Sequence, residues 1–199
     1  KEVPKPCSRY STMIATTSSR ALPVRGKDFT FPAFFPVTTF GGRYPLDTIA
    51  RPYLSESFPG IMVSHYYARP MKSEWCTPTF IDSGGFASLF KNSEIVSLDD
   101  RAGIQTEDGT LTDPAEVLAL QQQMADIGAT LDFIVTADMD EEERTRRQSL
   151  TIQNALWTMD RWDQTEDFHL FASLQAWDAD SASRIVDQLA PHLFSGVAL

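Results

Sequence analysis

The chain has 199 residues, enough for one domain with a real core, and its 42% hydrophobic and 22% charged content is ordinary for a soluble globular protein. No apolar run approaches the roughly 20 residues a bilayer span needs, and the Lys- and Pro-rich start has no apolar leader, which predicts a cytoplasmic protein without a membrane partner. A formal net charge of −10 argues against a broad nucleic-acid-binding face, and Cys7 and Cys76 are too few and too far apart for a structural metal site.

Residues 1–30 are polar and mixed, Ser/Thr-rich over 8–20, and predict an arm or an irregular hairpin ahead of one domain over 31–199. Ala33-Phe34-Phe35-Pro36-Val37 predicts a short strand running into a loop at Thr38-Thr39-Phe40-Gly41-Gly42. Residues 60–64 and 79–81 read as two more strands. Residues 88–112 are charged and Gly-punctuated, a long excursion over one face. Asp113-Pro114-Ala115-Glu116 is a helix start: a capping acid, Pro at the first helical position, and an acid three residues after the cap. Val117, Leu118, Leu120, Gln121, Met124 and Ile127 follow at helical spacing, and Gly128 stops the helix.

Residues 131–137 then predict a strand ending at Asp138. A helix over about 141–162 turns Leu150, Ala155, Leu156, Met159 and Trp162 inward. Residues 168–174 predict a strand ending at Gln175, residues 180–193 a helix with Ile185, Val186 and Leu189 inward, and residues 196–199 a last strand. Strand and helix alternate for at least three rounds, which implies a parallel sheet with helices packed outside. Short strands and brief connections fit a (β/α) barrel. An open doubly wound sheet is the alternative, disfavoured by the absence of a dinucleotide fingerprint after the first strand. A chain that opens on Lys1 and closes on the apolar Val197-Ala198-Leu199 predicts a fragment of a longer protein.

The stretch Thr79-Phe80-Ile81-Asp82-Ser83-Gly84-Gly85-Phe86 is the most informative. An apolar strand stops at a carboxylate, turns on two glycines that let main-chain N–H groups approach a ligand, and presents a ring. Acid, amides and a flat face suit a planar, hydrogen-bonding ligand such as a nucleobase. In a parallel barrel such groups gather at the carboxyl ends of the strands, where Asp82, Asp138 and Gln175 each follow an apolar run. Asp138 also fits as a cap for the helix beginning near Glu141, Gln175 as a partner for backbone groups, and Phe86 as core. The run Asp138-Met139-Asp140-Glu141-Glu142-Glu143 reads as first-turn acids favoured by the helix dipole rather than a metal site. Trp157, Trp162 and Trp177 read as packing residues, and His65 as an orienting residue.

Residues 33–37, Ile81-Asp82-Ser83-Gly84-Gly85-Phe86, Asp108-Gly109-Thr110 with Asp113-Pro114, residues 128–138, residues 171–175 and Gly196-Val197-Ala198-Leu199 resemble successive blocks of the tRNA-guanine transglycosylases (queuine tRNA-ribosyltransferases). The resemblance runs in order from about residue 30 to the end. It implies a (β/α)8 TIM barrel, of which this chain carries roughly the N-terminal two-thirds, and an enzyme that exchanges guanine in tRNA for a 7-deazaguanine through a covalent ribosyl-aspartate intermediate. Asp82 then matches the acid that binds the base and handles its proton. Ser83, Gly84 and Gly85 match the loop around the base, and Phe86 the ring that stacks on it. Asp138 matches the second acid on the purine edge, and Gln175 the amide beside it.

The family's nucleophilic aspartate and its structural zinc subdomain are expected beyond Leu199, so this segment alone is expected to be inert, with no cofactor of its own. The chain departs from the family at Ala87, at Val63-Ser64-His65-Tyr66, at Met139-Asp140-Glu141-Glu142 and at Ala176-Trp177. Such drift around a retained base site would also suit a divergent branch that inserts 7-deazaguanine bases into DNA, and a different class is a non-catalytic partner subunit that keeps the barrel, against which the retained Asp82, Asp138 and Gln175 argue. A homodimer and a heterodimer are both left open.

Overall fold

A computed structural model describes residues 21–24, 27–30, 32–40, 44–69, 77–164 and 167–199. The Ser/Thr-rich arm over 1–20, both cysteines and the glycines of the expected loop at Gly41-Gly42 lie outside the described residues. Strands β1 (Ala21–Val24) and β2 (Lys27–Thr30) form an antiparallel hairpin. Helix α1 (Pro45–Ser57) follows, which the sequence pattern does not announce because Pro52 stands in its interior. Then come β3 (Ile61–Ser64), the single turn α2 (His65–Ala68), β4 (Thr79–Asp82) and a 3₁₀ turn at Gly85–Leu89. The excursion predicted over 88–112 contains an antiparallel sheet of β5 (Glu94–Ser97), β6 (Ala102–Gln105) and β7 (Leu111–Thr112).

The remaining elements are α3 (Pro114–Met124), β8 (Ile127–Ala129), α4 (Glu141–Met159), β9 (His169–Ser173), α5 (Ala179–Leu189) and β10 (Gly196–Ala198). Five strands make one parallel sheet in the order β10-β9-β8-β4-β3. The predicted strand over 33–37 contributes a single parallel bridge, Val37 to Met62. Met62 N donates to Pro36 O and Thr38 N to Met62 O, both at 2.9 Å. Each strand therefore pairs with its predecessor in the sheet, without the reversal of order that marks a doubly wound sheet. The protein is a mixed α/β fold on a parallel sheet.

Both faces of that sheet are buried, as parallel sheets require. Ile61, Val63, Ile81 and Leu170 pack with Leu118, Ala125 and Phe168 on one side. Phe80, Ile127 and Ala129 pack with Phe35, Met62 and Phe171 on the other. Asp113 caps α3 through Ala115 N and holds Arg101 through paired contacts of 2.7 and 2.8 Å.

Three expectations shift. The strand expected over 131–137 lies earlier, at Ile127–Ala129, and α3 ends before Ile127 and Gly128. Long-range bonds decide this register. The Gln121 side chain donates to Ile81 O at 3.0 Å and Ala129 O at 2.8 Å, and a Cβ on Gly128 would collide with it. Leu131 and Phe133 instead bury against Ala87, Ala102 and Ile104, beyond the sheet. Val186, expected inward, is 47% exposed, because only Ile185 and Leu189 of α5 meet Ile152, Ala155 and Ala172. The long helix stops at Met159, while Trp162 packs edge-on against Phe168 at 6.4 Å. Among the described residues no helix is long and apolar enough to cross a membrane.

Candidate functional site

Strand β4 ends at Asp82, in register with Ser64 at the end of β3. Beyond it Gly84 takes a left-handed conformation (φ +79°), which glycine adopts without strain. Gly85 answers a different need. A Cβ there would collide with both the carboxylate and the carbonyl oxygen of Asp132, so its absence lets the two segments meet. Gly85 N donates to Ser83 Oγ at 3.0 Å, and that hydroxyl donates to Asp132 Oδ1 at 2.5 Å.

Asp132 is the centre of the arrangement. It is only 6% exposed, and its other oxygen accepts from Gln175 Nε2 at 2.6 Å. Gln175 Oε1 in turn accepts from Val135 N at 3.1 Å, and Gln175 O accepts from the fully buried Gln148 at 2.7 Å. The main chain on either side of Asp132 is clamped as well. Thr130 Oγ1 accepts from Ser173 N at 3.0 Å, Ser173 Oγ donates to Thr130 O at 2.6 Å, and Phe133 N donates to Thr151 Oγ1 at 3.1 Å. The carboxyl is thus fixed before any ligand arrives.

Burial raises the pKa of Asp132 to about 6, with the nearby Asp82 charge adding to the rise and the Ser83 and Gln175 bonds opposing it. Burial raises Asp82 too, against the backbone amides of Ser83 and Gly84. Two adjacent carboxyls that both resist ionisation are suited to holding and passing a proton. They face a cavity of about 240 Å³ also lined by Ser83, Phe86, Ser173 and Gln175. Phe86 is 64% exposed and meets Phe90 edge-on at 6.0 Å, so it stands at the rim rather than in the core.

Asp138 is not brought to this cluster. It is exposed, accepts from the Thr136 hydroxyl, and is held below the ordinary carboxylate range by that bond. Nor does it cap α4, a task that Asp140 performs through Glu143 N at 2.8 Å. Of the expected site residues, the structure gathers Asp82, Ser83, Phe86 and Gln175, with Gly84 and Gly85 shaping the turn, and sets Asp132 where Asp138 was expected. One sequence signal pointed to it: Asp132 is a lone carboxylate between Leu131 and Phe133 in an apolar run, a costly place for an unpaired charge. His65 is buried and its pKa lowered to about 4 by burial and the charge of Arg69, so it is neutral at pH 7.

No family model and no curated protein matches the chain. Among the described residues no group of three or more His, Cys, Asp or Glu side chains is placed to hold a metal ion.

Proposed function

We propose that this chain grips a guanine-type base and forms part of a base-exchange transglycosylase built on a (β/α)8 barrel. The chain-ordered parallel strands support the barrel, because a doubly wound sheet would reverse direction. The observation that carries the function is Asp132, a buried carboxyl oriented by Ser83 and Gln175 beside Asp82, with Phe86 at the rim. The Watson–Crick edge of guanine offers N1–H and N2–H donors that carboxylates accept, with O6 between them and the major groove edge. Gln175 keeps a second amide hydrogen suited to O6, and Phe86 offers a face for stacking.

The raised proton affinity of Asp82 and Asp132 supports a second duty. A purine leaving a ribose takes up a proton and an arriving one gives a proton up, and a carboxyl poised near neutrality serves both. The polymer proposed is tRNA, with the nucleophile supplied by residues beyond Leu199. Calorimetric titration of the 199-residue chain with guanine and adenine is the test. Saturable binding of guanine in preference to adenine is expected, weakened roughly tenfold or more in Asp132→Asn. Failure to bind guanine, or an unaltered affinity in the variant, would overturn the reading. A chain extended past Leu199 is expected to exchange labelled guanine into tRNA and not into duplex DNA; the reverse outcome would replace the tRNA substrate with DNA.

A further inference from the structure

Strand β8 ends at Ala129, and the stretch over 131–136 that carries Asp132 lies in no strand or helix. Side chains of α4 hold it instead. Asn154 donates to Leu131 O at 3.2 Å, Thr151 Oγ1 accepts from Phe133 N at 3.1 Å, and Arg147 Nη1 donates to Ile134 O at 2.9 Å. Residues 147, 151 and 154 follow one another at helical spacing, so one stripe of α4 grips the main chain on both sides of the acid.

Arg147 does more than its two neighbours on the stripe. Its Nη1 also meets Ser88 Oγ at 3.4 Å, in the 3₁₀ turn that begins at Gly85 and carries Phe86. Its Nε donates to Glu143 Oε1 at 2.7 Å, one helical turn earlier, and its side chain is only 12% exposed. One guanidinium therefore joins the two segments that line the acidic cavity, Asp132 and Ile134 on one, Asp82 and Phe86 on the other. Ile134 lines that cavity and Arg147 does not. Gly85 lets the two segments touch at Asp132, and Arg147 ties them together from outside the lining.

We infer that Arg147 is a positioning residue that determines base specificity: by bridging Ile134 O to Ser88 it fixes Asp132 against Asp82, so that both carboxyls reach one base edge together. This rests on the base-binding reading and deepens it. Guanine presents two N–H donors on that edge and needs both acids in place. Adenine carries an acceptor at N1 and no amino group at C2, so it gains nothing from their spacing. A guanidinium suits the task because Nε and Nη1 serve separate partners at fixed separation, which a single ammonium cannot do. Side chains behind a site act through such placement, and small displacements of the groups they hold weaken binding without altering its chemistry.

The test titrates guanine and adenine by calorimetry into the 199-residue parent, Arg147→Met, Arg147→Lys and Arg146→Met, each first shown to be folded by circular dichroism. Arg147→Met is expected to weaken guanine roughly tenfold and adenine far less, so that the preference between the two bases contracts. Loss of general stability would not move that ratio in a folded protein. Arg147→Lys keeps the charge but gives up the fork, and is expected to lose most of the preference too; it decides the matter if Arg147→Met does not fold. Arg146→Met removes a charge from the same turn, where Arg146 pairs with Glu143 at 3.1 Å, and is expected to keep the parent's preference. An unchanged preference in a folded Arg147 variant would overturn the bridge and leave the base site standing. An equal loss in Arg146→Met would overturn it too, by tracing the effect to charge. A parent that binds no guanine would remove both readings.

Discussion

At the scale of single residues, Asp132 and Asp138 are the informative contrast. Asp132→Asn sets its amide N–H either against Gln175 Nε2, donor on donor, or against Ser83 Oγ, whose own hydrogen then loses its acceptor inside the protein. Guanine binding is expected to fall by about 1–3 kcal/mol in this variant and to stay unchanged in Asp138→Asn, both measured by calorimetry. The same substitution has a pH signature. Because burial raises Asp132 to about 6, between roughly pH 4 and 6 the folded chain keeps a proton that the unfolded chain has released. The stabilisation this gives is complete below the unfolded pKa and is lost as pH rises through the folded one. Stability of the parent minus that of Asp132→Asn should accordingly decline from about pH 4 to about pH 6.5 in urea titrations, and a flat difference would contradict the burial. Gly85→Ala should cost roughly 2 kcal/mol or more, since the added methyl group meets Asp132 head-on and neither segment can withdraw without breaking the Ser83 bond. Thermal denaturation reads that loss. The motif from Asp82 to Phe86 was legible in the sequence because its strand end, left-handed glycine and ring are local features, whereas the close approach that Gly85 permits is to the distant Asp132. Asp132 was obscured because its environment is built from Ser83, Gln175 and Gly85, distant in the chain.

At the scale of elements, the helices were easier to read than the strands. The Asp113-Pro114 start of α3 needs only its own neighbours, and Asp113 does cap it through Ala115 N. The strand before Asp138 was shifted because alternation at Leu131, Phe133 and Val135 resembles a pleat equally well whether the segment lies in the sheet or runs out of it. The bonds that choose, from Gln121 to Ala129 O and between Thr130 and Ser173, cross elements. Helix α1 was invisible because Pro52 contradicts a helical reading taken by itself. Asn154 shows how strongly such cross-element bonds bind the parts. From α4 it accepts from Ala102 N at 2.9 Å and donates to Ala102 O at 3.0 Å and Leu131 O at 3.2 Å, tying the antiparallel sheet to the helix layer. Asn154→Leu leaves three buried backbone groups unsatisfied and should cost about 2–4 kcal/mol, read from the midpoint of urea unfolding. An unchanged midpoint would mean that water replaces the amide.

For the molecule as a whole, the parallel α/β class followed from alternating elements, whereas the small antiparallel sheet did not, since its strands carry charge on both sides of each turn. Ligand linkage gives a global test of the pocket. Guanine at about a hundred times its Kd should raise the melting temperature by roughly 5–10 °C, the effect of about 2.7 kcal/mol on a chain of this size, and adenine by much less.

The order of the strands has a bearing on how the protein is made. Since each new strand in the sheet docks on the one before it, a nascent chain emerging from the ribosome can complete its sheet stepwise, with few distant partners to await. The long pause falls after β4, whose partner β8 emerges only once the whole antiparallel sheet and α3 have been synthesised. During that interval the apolar edge of β4 lies open, making it the point at which stalled synthesis would expose a sticky intermediate.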